Sequence, residues 1–218
     1  MWDNLSIPWK RAFELAWESY KKGTIPIGTV ITNRNGEIIS EGRNRIFDRN
    51  STNVLAGTNI AHAEMTAMIQ LKEYEHPDIR TYTLYTTMEP CPMCFGTMVM
   101  MNIRNLTYGA RDGFAGAANL NDKMDYIKNK GINIEKADSE LEAFQLIMQS
   151  AYECMRIHAR VDALLNAWKK IDSRAVELGR QLHTEGYFMK AIADDSDVSY
   201  IYDDIMGRYR QHGILSQK

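Results

Sequence analysis

The 218-residue sequence predicts an α/β chain, a three-layer α/β/α sandwich over residues 1–158 followed by a helical extension over residues 159–218. Three observations carry that expectation. Short runs rich in threonine, tyrosine and β-branched residues, such as Thr81 to Met88, alternate with runs of helical period, such as Ser139 to His158; strands interleaved with helices of that length favour a layered sheet with right-handed crossovers. Asn35-Gly36 separates two strand-like runs and marks a hairpin turn. Beyond Ala159 apolar residues recur at three- and four-residue steps, as on an amphipathic helix.

Taken in order, residues 7–21 place Trp9, Phe13, Ala16, Trp17 and Tyr20 on one helical face, with Ser6 set to cap and Pro8 in the first turn. This stripe is expected to pack in the core. Ile25 to Thr32 and Glu37 to Ser40 read as strands, and Gly28 lets the first pass close to another backbone or a ligand. A polar loop from Phe47 to Asn59 leads to a helix expected over residues 60–71, which ends before a solvated His76. Thr81 to Met88 is a strand, Met93 to Met101 a helix with its methionines inward, Arg104 to Tyr108 and Ile132 to Glu135 strands, and Ser139 to His158 a helix. In the extension, Val161 to Leu182 reads as one long helix and Val198 to Tyr209 as a second, after the acidic turn Asp194 to Asp197.

Composition narrows the class. A hydrophobic content of 44% and a charged content of 25% are those of a globular chain. A net charge of −2 gives no general attraction to phosphate backbones, and from Ala159 onward nine basic residues balance nine acidic ones. No basic, apolar leader opens the sequence and no apolar run is long enough to cross a bilayer, so a cytoplasmic chain with no membrane partner is expected. Three cysteines suit a reducing compartment and no disulfide framework.

The chemistry gathers in two stretches, His62-Ala63-Glu64 and Pro90-Cys91-Pro92-Met93-Cys94. One imidazole and two thiols suit zinc, and three protein ligands leave a fourth position for water, whose pKa the metal lowers. A Cys-x-x-Cys pair at a helix start is held as thiolate by unpaired amides and the helix dipole, and proline suits that entry. His62 and Glu64 stand about 200° apart around a helix, so they share no face, yet from a first turn both reach a site off the helix end. Glu64 can then stay outside the metal shell as general acid and base. A structural zinc would need a fourth ligand, for which Cys154 is the spare cysteine; a lone helical cysteine reads instead as core.

In their order, H-x-E followed by P-C-x-x-C, these stretches match the signature of zinc nucleobase deaminases. Ile60 to Met68 (IAHAEMTAM) and Thr83 to Met98 (TLYTTMEPCPMCFGTM) resemble the cytidine-deaminase-like superfamily, nearest the branch of tRNA-specific adenosine, guanine and cytosine deaminases, over about residues 7–158. The resemblance implies one Zn2+ per chain, held by His62, Cys91 and Cys94, with Glu64 as the catalytic residue and a homodimer as the assembly. Asn44 matches an asparagine that holds the substrate; its amide offers both donor and acceptor. Pro26, Ile27, Ala63, Glu89 and Phe114 complete the expected substrate contacts. Gly109-Ala110-Arg111-Asp112 resembles the tRNA adenosine deaminases, whereas Pro92 resembles guanine deaminases. The expected activity is hydrolytic deamination of a free nucleobase or nucleoside such as guanine or cytosine. A tRNA adenosine is the second reading, and a silent zinc scaffold binding a partner through its tail is the third.

Overall fold

In the computed structural model, which describes the backbone of residues 1–215 and the side chains of residues 1–211, a five-stranded mixed sheet forms the middle layer. Residues 216–218 of the expected extension lie outside the described residues. Helix α1 (Ile7–Lys21) precedes strands β1 (Gly28–Thr32) and β2 (Ile38–Arg43), then come α2 (Ala63–Met68), β3 (Thr83–Met88), α3 (Pro92–Met100) and β4 (Asn105–Ala110). A short α4 (Asp125–Lys128), β5 (Asn133–Lys136) and α5 (Ser139–Met155) complete the sandwich. The strand order is β2-β1-β3-β4-β5; β1 runs antiparallel to β2 and β3, whereas β3, β4 and β5 are parallel.

Both faces of the sheet are apolar and both are covered. Ile31, Leu84 and Leu106, in register across β1, β3 and β4, pack with Met68, Phe95 and Met98 from α2 and α3. On the other face the aromatic stripe of α1 is buried as expected, with Phe13 edge-on to Phe144 of α5 at 5.2 Å and Trp9 edge-on to Tyr85 at 5.6 Å. Ser6 takes the N-cap position of α1 without a side-chain capping bond. Gly28 faces the α1 backbone at Ala12 and Ala16, which is the close approach its missing side chain allows. Gly36 closes the hairpin turn at φ 81°, its N–H donating to the Asn33 carbonyl.

Several boundaries differ from expectation. The first strand begins at Gly28 because Ile27 N–H bonds back to the Ile25 carbonyl and pulls residues 25–27 into a tight turn. Pairing with β1 carries the second strand on to Arg43. Helix α2 stops at Met68, and α5 stops at Met155. His76 is half-buried and not solvated, with Nδ1 3.1 Å from the Tyr82 hydroxyl. Met98 is buried, but Met100 is exposed.

The extension is four helices: α6 (Val161–Lys169), α7 (Ser173–Thr184), α8 (Tyr187–Ala193) and α9 (Val198–Leu215). The single helix expected from Val161 to Leu182 breaks at residues 170–172, where Asp172 caps α7 by accepting from Ala175 N–H. These helices share the core of α1 and α5. Phe188 stacks on Tyr20 at 4.8 Å, Tyr202 meets Phe144 at 4.8 Å, and Trp17 donates to the Ser196 carbonyl. Gly179 lets α7 lie directly on α5, since a Cβ there would come within 2.5 Å of the Ile147 carbonyl. Cys154 is half-buried against this core. Among the described residues no helix is long and apolar enough to cross a membrane.

Candidate metal centre and cavity

Two helix starts converge above the sheet. His62 is the N-cap of α2 in extended conformation, and Cys91 is the N-cap of α3 with Pro92 at its first position. Proline fits there because its absent N–H has no intrahelical acceptor to miss. The turn of α3 brings Cys94 back beside Cys91. The three donor atoms form a triangle: His62 Nδ1 lies 3.6 Å from Cys91 Sγ and 3.5 Å from Cys94 Sγ, and the sulfurs are 3.7 Å apart. Zinc bonds of about 2.3 Å to sulfur and about 2.0–2.1 Å to nitrogen, at tetrahedral angles, set those edges near ~3.5–3.6 and ~3.8 Å. The donor set therefore fits one zinc ion in size as well as in chemistry.

Glu64 stands in the first turn of α2, buried, and its Oε2 has no hydrogen-bond partner among the described residues. A buried carboxylate oxygen left unpaired is costly unless a ligand completes it. Burial raises the pKa of this carboxyl above the ordinary range. Without metal the three ligands share protons unequally. The Cys94 thiol's hydrogen bond holds Cys91 down to about 4, and the same bond together with burial drives Cys94 well up. Burial pulls the His62 imidazole down, but the Cys91 hydrogen bond and the Glu64 and Cys91 charges outweigh it, leaving its pKa raised.

These groups open onto a mainly apolar cavity of about 580 Å³, to which His62, Glu64, Cys91, Glu89, Ile27 and Phe114 all contribute. Phe114 is 46% exposed at its edge rather than in the core. Both Glu89 carboxylate oxygens are engaged, one by Asp112 N–H and one by Ala118 N–H, so this side chain fastens the loop after β4. Asn44 is buried: its Oδ1 accepts from Thr24 Oγ1 at 2.7 Å and Ile46 N–H at 3.1 Å, and its Nδ2 has no protein partner among the described residues. Of the expected substrate contacts, Pro26, Asn44 and Ala63 do not line the cavity; all three are buried, and the Pro26 carbonyl accepts from Gln145.

One wall was not foreseen. Gln149, Glu153, Arg156, His158, Arg160 and Trp168 line the cavity from the end of α5, the following linker and α6. The boundary expected at residue 158 thus runs through the cavity wall. Glu153 accepts from His158 and Gln149, and Trp168 Nε1 donates to Asp112, so this wall is joined to the loop after β4. The clustering of Arg156, His158 and Arg160 in sequence was the available signal.

Residues 6–110 match the family model for the cytidine and deoxycytidylate deaminase zinc-binding region. The tRNA-specific adenosine deaminase of Bacillus subtilis (strain 168) is 36% identical over 111 residues, covering 50% of this chain and 63% of that protein. The cytosine deaminase of Candida albicans is 28% identical over 109 residues, covering 50% and 68%. The X-ray structure of guanine deaminase from Bacillus subtilis is similar at 34% identity and a TM-score of 0.40, over 48% of this chain and 63% of that one. The chain spans less than two thirds of several of its curated relatives, the Bacillus adenosine deaminase among them. Residues 6–110 are thus similar to the zinc-binding region of cytidine and deoxycytidylate deaminases, and within them His62, Cys91 and Cys94 are placed to hold one metal ion.

Proposed function

We propose that the chain hydrolyses the carbon–nitrogen bond of an exocyclic amine on a nucleobase or nucleoside, releasing ammonia. The observation that carries this reading is the buried Glu64, with an unpartnered oxygen beside a zinc-sized donor triangle at the cavity. Zinc, when bound, supplies a Lewis acid that brings the pKa of water near neutrality. The chain's residues do the rest. His62, Cys91 and Cys94 fix the metal against the ends of α2 and α3. Glu64 accepts the proton of the attacking water and returns it to the ring nitrogen and then to the departing amine. Its raised pKa suits a group that must hold a proton and give it up. A C–O bond forms, a C–N bond breaks, and no electrons are exchanged with a co-reactant.

The apolar Ile27 and Phe114 of the cavity are assigned to hold the heterocycle, together with Asn44, which is buried behind the lining and whose Nδ2 has no protein partner among the described residues. A cavity of about 580 Å³ has room for a base with its sugar. An adenosine presented by RNA is the second reading, favoured by the Gly109 to Asp112 stretch and by the 36% identity to the tRNA-specific adenosine deaminase of Bacillus subtilis. A homodimer belongs to the same proposal and is checked by light scattering. The test is zinc analysis and ammonia release on a panel of bases, nucleosides and a tRNA substrate, comparing Glu64→Gln with the unaltered chain. The variant should keep one zinc per chain and lose about 10²–10⁴-fold in rate. Full zinc with an unchanged rate refutes the assignment.

A further inference from the structure

The cavity does not end at its aromatic rim. Phe47 and Arg156 line both the main cavity and an adjoining groove of about 470 Å³, and the Arg156 guanidinium lies 4.3 Å from the Phe47 ring centroid. Arg49 lines that groove and the next one, which Lys22 and Arg45 also border. Arg160 stands on the cavity wall beside the linker that carries Arg156.

The charges along this path are unequal in an informative way. Among the described residues, Arg156, Arg160, Arg49 and Lys22 have no carboxylate within 4.0 Å. The acids nearby are engaged. Asp48 is bound by Arg43 and Arg45, Glu18 by Arg43, and Glu153 by His158 and Gln149. Glu89 accepts two backbone N–H groups, and Asp112 accepts from Trp168 and Phe114 N–H. What remains unpaired along the rim is cationic, in a chain whose net charge is −2. A free base carries nothing for such a rim to meet. A phosphate ester does, because guanidinium groups match phosphate oxygens in charge and in fork geometry.

We propose that Arg156 and Arg49, flanking Phe47 with Arg160 alongside, form a subsite for a phosphate ester attached to the sugar of the substrate. The inference rests on the deaminase reading above and adds the substrate's chemical class. Arg156 and Arg160 lie outside the matched region 6–110 and Phe47 and Arg49 inside it, so the linker before α6 completes a subsite that the matched region begins.

The test uses the full, zinc-loaded chain and isothermal titration with adenosine, cytidine and guanosine, their 5′-monophosphates, and a single-stranded RNA hexamer of matching sequence. Whichever nucleoside binds, its phosphate-bearing form should bind about tenfold tighter or more, the scale of a charge-assisted hydrogen bond. That gain should vanish in Arg156→Gln and shrink in Arg49→Gln, with affinity for the phosphate-free nucleoside unchanged in Arg49→Gln, whose side chain lines only the adjoining grooves. Arg49 sits on an exposed loop, so its variant remains informative should Arg156→Gln fold poorly. A gain with the monophosphate assigns a terminal phosphate, whereas a gain with the hexamer alone assigns a strand's backbone and should weaken steeply with salt. Equal affinities with and without phosphate, or equal losses for both in the two variants, overturn the subsite. Inorganic phosphate titrated alone separates the two readings: binding that Arg156→Gln removes, with no ammonia from any substrate, leaves the subsite standing and refutes the deaminase.

Discussion

Glycine 42 tests whether the geometry of the centre depends on how closely α2 rests on the sheet. Gly42 lies in β2 opposite Thr29, and a Cβ built on it would fall 2.5 Å from Ala67 N and closer still to Ala63 O and Thr66 Oγ1. Ordinary contact begins at 3.4 Å, so relieving the nearest of these in Gly42→Ala requires α2 to retreat by about 1 Å. The helix cannot tilt freely to comply, because Thr66 Oγ1 donates to the Arg43 carbonyl and Ser40 Oγ to the Ala67 carbonyl. The retreat carries His62 and Glu64 with it, whereas Cys91 and Cys94 sit on α3. A metal bond tolerates about 0.2 Å, and a misplacement of about 1 Å at a catalytic group costs about 10²-fold. The expected result is a fall of about 10² in ammonia release, reduced zinc retention under a competing chelator, and about 1–3 kcal/mol lost to overpacking in urea unfolding. Gly96→Ala on α3 is the control. Nothing lies within 4 Å of its added Cβ, and alanine suits a helix interior, so it should be neutral or stabilising by up to about 1 kcal/mol. Gly42→Ala with unaltered zinc affinity, activity and unfolding midpoint refutes the reasoning.

Glu142 binds Arg111 through N–H, Nε and a terminal nitrogen and also meets Lys136; burial pushes its pKa up, but the Arg111 hydrogen bonds outweigh this and leave it below the ordinary carboxylate range. A pKa lower in the folded chain adds stability above the unfolded value of about 4.3 and forfeits it as pH falls through the folded value. Glu142→Gln should therefore cost about 1–2 kcal/mol at neutral pH, discounted because Arg111 is half exposed, and nothing in strong acid. Denaturant melts across pH check it, and a constant difference contradicts it. Truncation after residue 158 should leave no cooperative fold, because Phe188 and Tyr202 are removed from Tyr20 and Phe144. A sharp thermal transition in the fragment, with zinc bound, counters that expectation.

What was legible in the sequence was chemistry carried by residue type and short spacing. His62, Cys91 and Cys94 come from separate helix starts, yet each start has a local signature, and Pro92 marks one of them outright. What stayed hidden depends on contacts far apart in sequence. Apolar period runs from Trp168 through Ile171 to Ala175 without interruption, so it could not reveal that Asp172 caps a new helix there. The cap is reinforced by the Tyr209 hydroxyl, 37 residues away, which donates to Asp172. His76 looked solvated because proline follows it, yet a neighbour six residues on, the Tyr82 hydroxyl, holds its ring.

Net charge was the least informative quantity, because it averages over the surface while recognition is local. The nine acids beyond Ala159 include groups bound elsewhere, such as Asp172 by Tyr209 and Glu185 by Arg208, far from the cavity. The arginines at positions 156 and 160 face the cavity with no such partner among the described residues. A balanced tail and a cationic rim therefore coexist, and the total that argued against phosphate carries little weight at the one place where a substrate would enter. Salt dependence of binding measures the local charge rather than the sum, and is the more direct reading of which substrate this wall was built to meet.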